Sequence, residues 1–133
     1  MGVSFDQIDG VIWYDGKLVP WADANVHLLT HGLHYASAVF EGERAYGGEI
    51  FKSTAHSERL TKSAQYLDFE IPWSVAEIDA AKKLVVEKNG LPDCYIRAIA
   101  WRGSEMMSVA AQNNTIHLGI ACWSWPSYFD AAQ

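Results

Sequence analysis

The chain has 133 residues, half of them hydrophobic and 20% charged, with a formal net charge of −6. That length and composition predict one domain, residues 1–133, with a buried core, and exclude intrinsic disorder. No apolar run reaches the roughly 18–20 residues of a membrane span, and an acidic chain whose largest basic cluster is Lys82-Lys83 does not read as a nucleic-acid binder. Val11–Tyr14, Asp15-Gly16 and Lys17–Val19 predict a hairpin with a type I′ turn. Arg44–Tyr46, Gly47-Gly48 and Glu49–Phe51 repeat the pattern. The periodicity then turns helical. Ser53 or Thr54 is placed to cap a helix running to about Leu67, with Leu60, Ala64 and Leu67 on one face. Ser74 and Glu77 form a capping box, and Trp73 with Ile78 has the spacing of a hydrophobic staple. The helix they start carries Ile78, Ala81, Leu84 and Val85 as its buried stripe and stops at Asn89-Gly90. Strands are expected at Cys94–Trp101 and Thr115–Trp123, separated by a long loop over Arg102–Asn114. The fold class is therefore α+β: a mainly antiparallel sheet of five or six strands with two helices on one face.

Several polar groups carry candidate chemistry. Alternation along Cys94–Trp101 puts Tyr95, Arg97, Ile99 and Trp101 on one face and Cys94, Ile96, Ala98 and Ala100 on the core face. Tyr95 and Arg97 then point the same way, about 7 Å apart, as a phenol and a guanidinium suited to grip a carboxylate. A solvated sheet face with a surface arginine is the plainer alternative. His27, His31 and His34 would stack on one side of a helix as a zinc set, but Gly32 interrupts them, and hydrogen-bonded structural histidines are the competing reading. Glu41 and Glu43 flank Gly42 and read as solvated acids of a glycine-containing turn. Arg59, one turn into its helix, can meet a phosphate or a surface acid. Cys94 and Cys122 sit far apart in apolar runs and read as buried thiols of a reducing, cytoplasmic setting. The tryptophans fall in or beside predicted elements, which suits core or interface better than a sugar-binding platform.

The segments HGLHYASAVFEGERAY, FKSTAHSERL, YIRAIAWRGSEMMSV and WSWPSYF, in this order and spacing, resemble the N-terminal domain of branched-chain amino-acid aminotransferases. These are pyridoxal-phosphate enzymes of fold type IV, and the resemblance runs from about Ile12 to Phe129. It implies amino-group transfer between leucine, isoleucine or valine and 2-oxoglutarate, with pyridoxal 5′-phosphate as cofactor. It implies that Arg59 binds the cofactor phosphate, that Arg97 takes the distal carboxylate of glutamate, and that Tyr95 lines the side-chain pocket. Tyr35, Phe40, Trp125 and Tyr128 would build the apolar wall, and Arg44 would stand near it. Val109 and Tyr35 would reach into a neighbouring subunit, so a homo-oligomer is expected, with no metal and no membrane or nucleic-acid partner. The family's catalytic lysine lies on a second, C-terminal domain. Lys17, Lys52, Lys62, Lys82, Lys83 and Lys88 are expected in turns, at a strand end or on polar helix faces, and none matches it. The chain therefore reads as a fragment that is inactive alone. D-amino-acid and amine transaminases of the same fold, or a non-enzymatic ligand- or metal-binding domain, are the competing assignments.

Overall fold

The computed structural model describes residues 4–124. Six strands form one antiparallel sheet: β1 (Val11–Tyr14), β2 (Lys17–Pro20), β3 (Ala38–Tyr46), β4 (Glu49–Ile50), β5 (Cys94–Arg102) and β6 (Ile116–Trp123). Their spatial order is β2-β1-β6-β5-β3-β4. Among the described residues three α-helices accompany them, the short α1 (His31–Tyr35), α2 (Ser53–Tyr66) and α3 (Val75–Asn89), with single 3-10 turns at Phe5–Gln7 and Trp21–Asp23. This is the α+β class expected from the sequence.

The local signals act where the residues place them. Asp15 and Gly16 adopt φ values of 49° and 99°, the left-handed pair a type I′ turn requires between β1 and β2. Ser74 and Glu77 make the reciprocal capping box of α3, and Gly90 closes that helix at φ 65°. The start of α2 differs from expectation. Lys52 occupies the cap position, at φ 54°, while the hydroxyls of Ser53, Thr54 and Ser57 donate to the Asp79 carboxylate on α3. A tertiary acceptor has captured the groups that local capping would have used.

The sheet has two unlike faces. Towards α2 and α3 it presents Trp13, Ala45, Cys94, Ile96, Ala98, Ala100, Leu118, Ile120 and Cys122. Leu60 and Ala64 of α2 and Ile78, Ala81, Val85 and Val86 of α3 close that core. The small residues of β5 let the helices approach closely, so apolar area is removed from water on both sides. The two thiols are buried and free, and Cys122 accepts a hydrogen bond from Asn89 Nδ2 at 3.4 Å. Beyond Ala45 and Tyr46, β3 has no outer partner strand among the described residues, so its Ala38–Glu43 stretch is a free edge. No helix among them is long and apolar enough to cross a membrane.

Candidate active site

Strand register assembles the first cluster. On β3 and β5 the pairs Phe40↔Ile99, Gly42↔Arg97 and Arg44↔Tyr95 face away from the helices. Arg97 therefore leans across its own strand and its neighbour. Its Nε and Nη2 donate to the Tyr95 hydroxyl at 3.1 and 3.0 Å, and its guanidinium lies 4.2 Å from the Phe40 ring centroid. Gly42 is required here, because a Cβ at that position would overlap the Tyr95 hydroxyl. Arg44 stands on the same face, its guanidinium 5.8 Å from the Tyr46 ring. Beside Arg97 a groove of about 310 Å³ opens between Tyr14, Val26, Leu33, Ile99 and Trp101. Its walls are overwhelmingly apolar and its volume suits a small ligand.

A second cluster lies on the helix side of the same strand. Side chains alternate along β3, so Glu41, between Phe40 and Gly42, points towards α2. Its carboxylate accepts from Arg59 Nε and Nη2, both at 2.8 Å, and from His56 Nδ1 at 2.7 Å. Burial alone would raise the Glu41 carboxyl, but the hydrogen bonds and charges of Arg59 and His56 outweigh it and hold it below the usual value. Arg59 itself remains two-thirds exposed. Arg59 and the Tyr95–Arg97 pair thus stand on opposite faces of the sheet. Only β3 links them, through consecutive residues: Glu41, which holds Arg59, follows Phe40, against whose ring Arg97 rests.

Glu43, two residues on, is paired with Lys82. The ammonium donates to Glu43 Oε1 and to the Ser53 carbonyl, each at 2.8 Å, and lies 3.6 Å from Asp79 Oδ1. The expected solvated turn around Gly42 is corrected: Glu41 and Glu43 sit in the middle of a strand, buried under two helices. The expectation that the lysines lie in turns, at a strand end or on polar helix faces is corrected for Lys82, which is 0% exposed on α3. Reading β3 from Ala38 would have placed both acids on the face of Ala45, and that alternation is the signal the sequence offered.

Tyr35 and Val109 form a third, separate place. The Tyr35 hydroxyl donates to the Met107 carbonyl at 3.0 Å, and its ring lies 4.5 Å from that of His31. Val109 is exposed on the same loop. Buried His31 fixes this loop. Its Nε2 donates to the Ser108 carbonyl at 2.9 Å, which leaves Nδ1 to accept from the Ser37 hydroxyl. His27 Nδ1 accepts from the Leu29 amide and His34 Nε2 donates to the Leu28 carbonyl, so the three rings bond separately within the chain. Trp125 and Tyr128, also expected at the pocket, lie outside the described residues.

Residues 38–132 match the family model described as amino-transferase class IV. The chain belongs to that family. The class IV assignment agrees with the resemblance carried by the four sequence segments. The chain is 48% identical over 130 residues to the branched-chain-amino-acid aminotransferase of Pseudomonas aeruginosa, covering 95% of this chain and 42% of that protein. It is 44% identical over 119 residues to a probable branched-chain-amino-acid aminotransferase of Rickettsia felis, covering 90% and 41%. Among solved structures, the branched-chain amino acid aminotransferase of Escherichia coli superposes with a TM-score of 0.86 at 34% identity, covering 93% of this chain and 42% of that one. The class IV chain described here thus spans about two-fifths of the length of the relatives it matches.

Proposed function

We propose that this chain forms the substrate-side part of an enzyme that moves an amino group between leucine, isoleucine or valine and 2-oxoglutarate. The observation that carries this reading is the resting place of Arg97. A pocket that takes both an aliphatic side chain and a carboxylate-tipped one needs an apolar wall and one cation. That cation must stay solvated or partnered when no carboxylate is present, because an unpaired buried charge is costly. Arg97 has such partners: the Tyr95 hydroxyl and the face of Phe40. A distal carboxylate would draw the guanidinium off the ring, and an isobutyl group would lie in the groove against Ile99 and Trp101. The relatives named branched-chain-amino-acid aminotransferase or probable branched-chain-amino-acid aminotransferase, matched over 95% and 90% of the chain, support the same substrates.

The residues present fit pyridoxal 5′-phosphate through the donor chemistry of Arg59. Glu41 occupies two of its five N–H donors, and the remaining three meet no partner among the described residues and belong to an exposed group. A phosphate would be held there by a bidentate charge-assisted pair. When bound, the cofactor supplies the electron sink that makes a substrate Cα proton acidic. The base that moves that proton would come from outside these residues. Lys82 is committed to Glu43, and the other lysines are exposed, on β2, before α2 or on the helices. The two buried thiols suit a cytoplasmic enzyme.

The test is an amino-transfer assay on the intact protein that contains this chain, supplied with pyridoxal phosphate. Leucine, isoleucine and valine should donate to 2-oxoglutarate. Transfer from D-alanine or a simple amine, with none from the branched-chain acids, would replace this assignment with another activity of the fold. The apolar surface of Leu28, Leu33, Tyr35, Met106 and Val109 is exposed in the single chain. We place a second copy against it. Sedimentation of the intact protein should show at least a dimer, and a monomer at tens of micromolar would remove that interface.

A further inference from the structure

We propose that Glu41 is a positioning residue: its buried carboxylate aims Arg59 so that the outer edge of the guanidinium faces an incoming phosphate. The inference rests on the reading that Arg59 meets the cofactor phosphate. It assigns a task to a group the sequence pattern left as a solvated acid.

The argument starts from the geometry of the fork. Glu41 takes Arg59 side-on, through Nε and Nη2. A planar guanidinium held along that edge presents its Nη1–Nη2 edge in another direction, as a second bidentate fork. The two partners differ sharply in exposure, with the side chain of Glu41 5% accessible and that of Arg59 67%. The carboxylate is therefore fixed within the fold, while the cation is the part offered to a ligand. His56 donates to Glu41 Oε1 as well, so both carboxylate oxygens are used and the acid cannot rotate freely. Its backbone is pinned by the register of β3 against β5, with Glu41 opposite Ala98. Along this chain of contacts the sheet determines where Arg59 points.

A carboxylate behind the arginine also repels a phosphate, so two effects compete. The repulsion acts past an exposed guanidinium, in contact with water, where charges are screened. The orientational freedom of a long arginine side chain is not screened, and its loss on binding is among the largest of any residue. Orientation therefore wins, and removing Glu41 should weaken phosphate binding although it removes a negative charge.

The experiment uses the intact protein and two probes, pyridoxal 5′-phosphate and pyridoxal, with dissociation constants read from absorbance and tryptophan fluorescence. Glu41→Ala should raise the Kd for the phosphorylated probe roughly tenfold and leave that for pyridoxal within about twofold, on the scale of lost supporting contacts. Glu41→Gln keeps one acceptor and should fall between. In an Arg59→Ala background, Glu41→Ala should change nothing further, because there is no guanidinium left to aim. A merely structural role would move both probes together. If Arg59→Ala weakens the phosphorylated probe but Glu41→Ala and Glu41→Gln leave it unchanged or bind it more tightly, the positioning role is wrong and the cofactor reading stands. If Arg59→Ala itself leaves the ratio of the two constants unchanged, the reading beneath the proposal falls with it. Should Glu41→Ala fail to fold, the Glu41→Gln ratio decides alone.

Discussion

Lys82→Met should destabilise the fold by about 3–5 kcal/mol, the usual cost of leaving one member of a buried ion pair alone. Lys82 is fully enclosed, and its ammonium joins three elements: Glu43 of β3, the Ser53 carbonyl at the start of α2 and Asp79 of α3. Glu43 Oε2 already lacks a hydrogen-bond partner, so the variant would strand the whole carboxylate. A domain of this size has only about 5–15 kcal/mol of net stability, so the loss is a large share of it. Urea unfolding of the intact protein is the measurement. The double variant Glu43→Met with Lys82→Met should recover most of the deficit, because an apolar pair removes the stranded charge along with its partner. Costs that simply add would show that the two groups are not coupled.

The pH dependence of that deficit has a definite sign. Burial pushes the Glu43 carboxyl above its ordinary 4.5, against the pull of Lys82. A raised acid carries no penalty while it is protonated in both folded and unfolded states, and acquires one as pH rises from the unfolded value through the folded one. Without Lys82 the folded value rises further. The deficit of Lys82→Met should therefore be greatest near neutrality and shrink as pH falls towards the ordinary carboxylate value.

Arg97→Ala in the intact protein should raise KM for glutamate about tenfold to hundredfold while changing KM for leucine less than about threefold. A charge-assisted hydrogen bond contributes about 1.5–3 kcal/mol, which is that range of factors. Leucine has no distal charge and loses only the apolar contact of the arginine stem. Equal losses for both substrates would mean that Arg97 supports the pocket wall rather than reading a carboxylate. Gly42→Ala supplies the complementary variant. Its Cβ would displace the Tyr95 hydroxyl, leaving the arginine in place without its phenol partner. That change should impair leucine more than glutamate, because a carboxylate can replace the lost partner and an isobutyl group cannot.

Much of the architecture is written in short-range chemistry. The Asp15-Gly16 turn, the Ser74–Glu77 box, the Asn89-Gly90 stop and the alternation from Cys94 to Trp101 each depend on neighbours a few residues away. The Tyr95–Arg97 pair was legible for the same reason, since two residues of one strand share a face whatever covers it. The charged layer under β3 was not. Glu41, Glu43 and Lys82 are ordinary surface residues until partners 15 to 39 positions away along the chain are folded against them, as His56, Arg59 or the opposing charge. Ser53 and Thr54 show the same override, their hydroxyls drawn from the helix cap to Asp79. The grouping of Tyr35 with Met107 likewise depends on how a loop folds back over α1.

The alternation of Phe40, Glu41 and Gly42 makes β3 a segment that cannot change length. Deleting one residue ahead of Phe40 would advance the strand by half a period and trade its two faces. The glutamate would then be thrust against Arg97, the aromatic ring buried where His56 and Arg59 expect a carboxylate, and Glu43 carried away from Lys82. Indels should thus be lethal within the Ala38–Glu43 stretch and far better tolerated a few residues later at the Gly47-Gly48 bend, where an added Cβ would meet nothing within 4 Å.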